Sequence, residues 1–284
     1  MSVVGCRMDR SLIGVSMPTP FSIVFALVSL GSFVLAQEPV QLNGPPQGQL
    51  LPAITERADR LTMKFGEGKR TAPIKLTKAP VLRTGDPSRN IDDGAMWLWL
   101  DGEQPVAALC VWVRRGVWYS ENASLCDDAL EATGWPGSSW QPPAAARKWL
   151  AADEAVADSP AARQRTMREI SRQFTASEDY RGQTFQLRLL PTPLFIYKSP
   201  DRGIIDGALF TVVNGNDPEV LIQIEARVVG EARRWQVAFE RLSSAELHVR
   251  RGEKEVWSAP APERGKPQFN TSYFTVREAE AKKR

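Results

Sequence analysis

The sequence predicts a β-rich α+β fold: two tandem homologous antiparallel β-meanders packed as a sandwich or barrel, with one or two helices. Three observations predict it. The first is internal similarity. A shift of 113 residues lays Pro80 over Pro193, Pro87 over Pro200 and Arg89 over Arg202. It also lays Ile91, Asp93, Gly94 and Ala95 over Ile204, Asp206, Gly207 and Ala208, and Gly102 and Pro105 over Gly215 and Pro218. Nine of the 27 positions from Pro80 to Val106 are identical without a gap. After four more residues the offset becomes 117, and Trp118, Leu125, Leu130 and Trp140 fall over Trp235, Leu242, Leu247 and Trp257. A constant offset with one insertion marks a tandem duplication. The second observation is strand chemistry. Phe210–Val213 and Val220–Val229 are β-branched and apolar, and Gly-Asn-Asp-Pro turn chemistry separates them. The third is size. A meander of about four short strands is short of core by itself, and two can face each other.

The elements follow in order. Residues 1–36 read as a secretory signal peptide: Arg7 and Arg10 precede an uncharged run, and Val34-Leu35-Ala36 supplies the small-residue site. The rival reading is an uncleaved anchor, which Pro18 and Pro20 disfavour by shortening the usable helix. Residues 37–51 are a flexible lead-in rich in Pro, Gly and Gln. The first repeat spans 52–143 and opens on a short amphipathic helix with Ile54, Ala58, Leu61 and Phe65 at helical spacing. A helical connector spans 144–184. Ser159-Pro160 is a capping residue followed by Pro in the first turn, and Met167, Ile170 and Phe174 share one face. The second repeat spans 185–260. A charged C-terminal tail, 261–284, reads as frayed at its end.

Composition excludes several functions. With 36 basic and 33 acidic residues the chain lacks the basic excess of a nucleic-acid binder or an anionic-membrane binder. No nucleic acid is expected as a partner, and no membrane beyond the N-terminal segment. No C-x-x-C, H-E-x-x-H or G-x-S-x-G is present, and no cofactor or metal is expected. The lone His248 sits in an alternating strand and reads as structural or surface. Export leaves Cys110 and Cys126 as a candidate disulfide, worth about 3 kcal/mol in the chain-entropy picture, against two buried thiols.

Six residues are candidates for binding or chemistry. Asp93 and Asp206 each precede Gly-Ala at a strand start. Brought together, two carboxylates act as acid and base or hold a cation. Kept apart, each fixes its own turn, with Gly supplying an unusual φ. The turn role is favoured, because two copies retain what both need to fold. Arg89 and Arg202, four residues earlier, are positioned to pair with these carboxylates. Trp97 and Trp99 lie on one face of a strand, as a stacking platform for a glycan or as part of a buried sheet. The acids Asp217, Glu219 and Glu225 belong to the second copy alone, where the first has Gln104, Val106 and Trp112.

The phrases Asp206-Gly-Ala-Leu-Phe, Asp217-Pro-Glu-Val-Leu with Ile224-Glu-Ala-Arg, and Glu246-Leu-His-Val-Arg-Arg resemble a group of uncharacterised exported proteins from planctomycete-type bacteria. The preceding Leu187-Arg-Leu-Leu-Pro-Thr-Pro fits the same pattern, and the resemblance covers most of 72–260. It implies export and a β-rich fold and transfers no catalytic residue. The functional expectation is an exported, non-catalytic binding or structural module of the periplasm or cell surface, with a glycan or protein partner. The alternative is a hydrolase or metal-binding enzyme using Asp93 and Asp206 between the repeats.

Overall fold

A computed structural model describes residues 49–66, 73–86, 89–263 and 268–278. They belong to one of the chain's two compact units, Asn43–Arg284. The signal-peptide segment, most of the lead-in and the charged end of the tail lie outside the described residues. The first half runs α1 (Leu51–Asp59), β1 (Thr62–Phe65), β2 (Lys75–Leu76), β3 (Leu82–Asp86), β4 (Ile91–Asp101), β5 (Gln104–Arg114), β6 (Val117–Ser124), β7 (Leu130–Trp135) and β8 (Ser138–Trp140). After β9 (Leu150–Ala152) the second half runs α2 (Pro160–Ser171), β10 (Phe174–Tyr180), β11 (Gln183–Leu189), β12 (Phe195–Ser199), β13 (Ile204–Asn214), β14 (Asp217–Val229), β15 (Ala232–Arg241), β16 (Glu246–Arg251) and β17 (Lys254–Ala259). β18 (Tyr273–Arg277) closes the order.

All ladders are antiparallel. One sheet runs β17-β16-β10-β11-β13-β14-β15-β9, with β12 also on β13; a second runs β18-β6-β5-β4-β2, with β3 also on β4; a third is β1-β7-β8. The fold is β-rich with two helices, as the sequence predicts. Its ladders agree residue by residue at the offsets read from the sequence. Leu82 pairs Met96 and Ile91 pairs Arg114; 113 residues on, Phe195 pairs Leu209 and Ile204 pairs Arg227. Val113 pairs Trp118, and Ala226 pairs Trp235, which is where the offset changes to 117. The agreement reaches back to β1 and β10: Phe65 pairs Leu130, and Glu178 pairs Leu247. So α2 and β10, within the stretch read as a connector, occupy the places of α1 and β1.

The shared residues have local reasons. Gly102 and Gly215 adopt φ of +61° and +60° in two-residue hairpin turns that ordinary residues resist. Pro105 and Pro218 donate no hydrogen bond, and each sits where the register slips by a bulge, between Trp99/Leu100 and Val212/Val213. Gly94 and Gly207 correct the expectation of an unusual φ, since neither has a positive one. They are glycine because a neighbour crosses their Cα. A Cβ on Gly207 would lie 2.5 Å from the Tyr197 ring, and one on Gly94 would lie 2.3 Å from Thr84 Oγ1.

The central strands are buried on both faces, which is why their sequences run apolar without alternation. On one face Ala95, Trp97 and Trp99 meet Ile54 and Ala58 of α1; in the second half Ala208, Phe210 and Val212 meet Met167 and Ile170 of α2. On the other face Met96, Leu98 and Ala108 of the first half meet Leu209, Leu221 and Leu242 of the second. The layers are therefore helix, sheet, sheet, helix. Ser159 caps α2, its Oγ accepting from the Ala162 N–H, with Pro160 in the first turn as expected. Phe65 and Phe174, expected on the helices, stand instead on β1 and β10, because each helix ends before them and the chain turns into a strand.

Each half borrows its last strand. β9, which follows the first half, pairs β15 of the second; β18, which follows the second, pairs β6 of the first. Residues 273–277, expected in the tail, are thus a sheet strand whose Phe274 is buried in the first half's core. Among the described residues no helix is long and apolar enough to cross a membrane.

Candidate functional site

Asp93 and Asp206 are each closed within their own half. Asp93 accepts from the Gly94 N–H at 3.0 Å and pairs with Arg83 of β3. Asp206 pairs with Arg163 of α2, and Lys198 Nζ lies 3.7 Å away. Both carboxylates are about 1% exposed. Each anchors a strand start, and the expected pairing with Arg89 and Arg202 does not form.

Those arginines reach instead into the opposite half. Arg89 donates from Nη1 to Glu219 at 2.8 Å and from Nη2 to Glu178, and its Nε lies 3.3 Å from Asp86. Asp217 is 4.0 Å away. Arg202 donates from Nη1 to Gln104 at 2.6 Å and pairs with Asp101. The two contacts are related by the internal symmetry, since Gln104 and Asp217 are equivalent positions at the ends of the central hairpins. The acids of the second half make the Arg89 end different. Burial pushes the Asp217 and Glu219 carboxyls well above their usual range, and neighbouring carboxylates push the same way against the pull of Arg89. Burial also lifts Glu121 to about 6. On Arg89, burial works downward, but Glu219, Glu178 and Asp217 outweigh it and hold the guanidinium above its ordinary value.

Two related clefts result. The one at Arg89 encloses only about 70 Å³ among Trp112, Glu121, Tyr180, Asp217 and Glu219, room for a few waters and no substrate. The one at Arg202 opens to about 330 Å³ and is lined by Gln104, Asp127, Arg147, Trp149, Arg202 and Arg227 among others. Beside it lies a buried chain: the Tyr197 hydroxyl donates to Glu225 at 2.6 Å, and Gln223 Nε2 donates to Tyr197 and Glu225 at 2.7 and 2.8 Å. Burial raises Glu225, partly offset by Tyr197 and by Arg227 and Arg147.

The other sequence candidates fall in the core or on the surface. Trp97 and Trp99 are 1% and 3% exposed, so they offer no stacking face; α1 covers them. Cys110 and Cys126 are free buried thiols, not a disulfide, because they point into different apolar clusters. Cys110 lies 3.8 Å from Thr84 Oγ1 and Cys126 bonds the Asp128 carbonyl at 3.6 Å. His248 is on the surface, its Nδ1 2.9 Å from Glu255. Among the described residues no group of three or more His, Cys, Asp or Glu is disposed to hold a metal. Sequence reasoning missed Glu178, Glu121, Arg147 and Trp149, which carry no motif. The available signal was the repeated arginine facing diverged acids, Asp217 and Glu219 against Gln104 and Val106. No protein-family model matches the chain, and no curated protein or solved structure matches it significantly.

Proposed function

We propose that this is an exported, non-catalytic binding module of the periplasm or cell surface, built by tandem duplication. The observation that carries the reading is the sealing of Asp93 and Asp206, each buried and neutralised by an arginine of its own half. A hydrolase using that pair needs the two carboxylates to share a substrate-sized space. The buried acids around Arg89 are no substitute, since their cavity is too small for a substrate. Coinciding ladders support duplication, and the basic residues, apolar run and Ala36 site support export. The resemblance to exported proteins points the same way.

The test is a panel of chromogenic glycosides, esters, phosphate esters and peptides offered to the purified chain. No turnover above buffer is expected. Turnover that disappears in Asp206→Asn, with the circular dichroism spectrum unchanged, overturns the reading in favour of the hydrolase.

A further inference from the structure

We infer that the open cleft at Arg202 is a saccharide site, holding one or two sugar units; the inference rests on the binding-module reading above. At about 330 Å³ the cleft is large enough for a small ligand, near the lower end of such sites. Its charges balance: Arg147, Arg202 and Arg227 stand against Asp127, Asp128 and Asp201. A cationic or anionic ligand would meet like charge there. A hydroxyl both donates and accepts, so it suits a lining with equal shares of N–H donors and carboxylate acceptors.

The cations are already engaged. Arg202 is held by Asp101 and Gln104, Arg147 Nη1 donates to the Leu125 carbonyl at 2.9 Å and to Gln223, and Arg227 lies 3.4 Å from Glu225. Planar groups fixed in this way neutralise no incoming charge, but they present preorganised hydrogen-bonding edges. Trp149 adds apolar surface in the same cleft, with the Arg147 and Arg227 guanidinium carbons 5.2 and 5.3 Å from its ring. A sugar ring joins both features, with hydroxyls at its rim and C–H groups on its face.

The related cleft at Arg89 supplies the contrast. Six lining positions of the Arg202 cleft (Gln104, Leu125, Cys126, Asp127, Arg202 and Arg227) fall over lining positions of the Arg89 cleft, namely Asp217, Leu242, Ser243, Ser244, Arg89 and Arg114. One copy of the cleft is filled by buried acids and the other stays open. The same scaffold position has thus become an internal lock in one place and an accessible pocket in the other.

A glycan array probed with the purified chain, followed by calorimetric titration of the best-bound di- or trisaccharide, tests this. Trp149→Ala is expected to weaken binding at least about tenfold, with Trp257→Ala, in a separate cavity, unchanged. Arg227→Gln, also expected to weaken binding, serves if Trp149→Ala fails to fold. Binding unchanged in both cleft variants, or lost only in Trp257→Ala, overturns the site while leaving a binding module standing. An array with nothing bound overturns the saccharide inference, and the hydrolysis panel then decides the broader reading separately.

Discussion

Replacing Arg89 by Met keeps most of the side-chain stem and removes the charge. In the native protein that charge faces Glu178 and Glu219 directly, with Asp86 and Asp217 within 4.0 Å. The arginine side chain is 13% exposed and the four acids are 0–10% exposed, so solvent screens the cluster little. Removing one partner of a buried ion pair costs about 3–5 kcal/mol, because the other is left buried and uncompensated. The acids escape part of that penalty by taking up protons, so the loss depends on pH. Folded Asp217, Glu219 and Glu121 hold protons more tightly than the unfolded chain does. Their contribution is complete below the ordinary glutamate value of 4.5 and is lost as pH rises, through about 6 for Glu121 and higher for the other two. Arg89→Met lifts the neighbouring carboxyls further and steepens that fall. Urea unfolding should show a loss of about 3–5 kcal/mol at pH 7.5 and about half of it or less at pH 5. Arg202→Met is the internal control: with one carboxylate partner and one amide, it should lose about 1–3 kcal/mol. A loss at Arg89 no larger than at Arg202, or one that grows as pH falls, refutes the reasoning.

Three further outcomes follow from packing. Gly207→Ala drives a methyl into the Tyr197 ring, which its hydrogen bonds to Glu225 and Gln223 hold in place; denaturant midpoints should show about 1–3 kcal/mol lost. Phe274→Ala empties the site where β18 enters the first half's core and should cost about 3–5 kcal/mol by the same measurement. A loss within error of zero would place β18 off β6. The native chain should leave Cys110 and Cys126 unmodified by a thiol-reactive dye until urea is added, and dithiothreitol should not move its melting temperature.

Much of the fold was legible because duplication writes it twice. Asp-Gly-Ala, the turn glycines and Pro105/Pro218 recur because each meets a local backbone need: a close approach, a positive φ, a bulge. Those needs show in sequence. What does not show is which half a side chain serves. Arg89 lies four residues from Asp93 in the chain, yet it crosses to Glu219, and nothing in local spacing encodes that. The exchange of β9 and β18 is hidden for the same reason, since strand pairing across more than a hundred residues leaves no short motif. Trp97 and Trp99 are ambiguous in principle: a strand face of two tryptophans looks the same in sequence whether a helix or a ligand covers it. Trp149 sits in an Ala-rich stretch with no repeat partner, and only the folded cleft gives it a role.

The central claim is that the conspicuous aspartates are structural and that recognition lies elsewhere. The melting temperature of Asp206→Asn tests it most directly. The variant strips Arg163, 7% exposed, of its buried counter-ion. The account predicts a loss of about 3–5 kcal/mol, or about 6–20 °C, with ligand binding at 20 °C unchanged. A variant that melts with the wild type and has lost binding or turnover would contradict it.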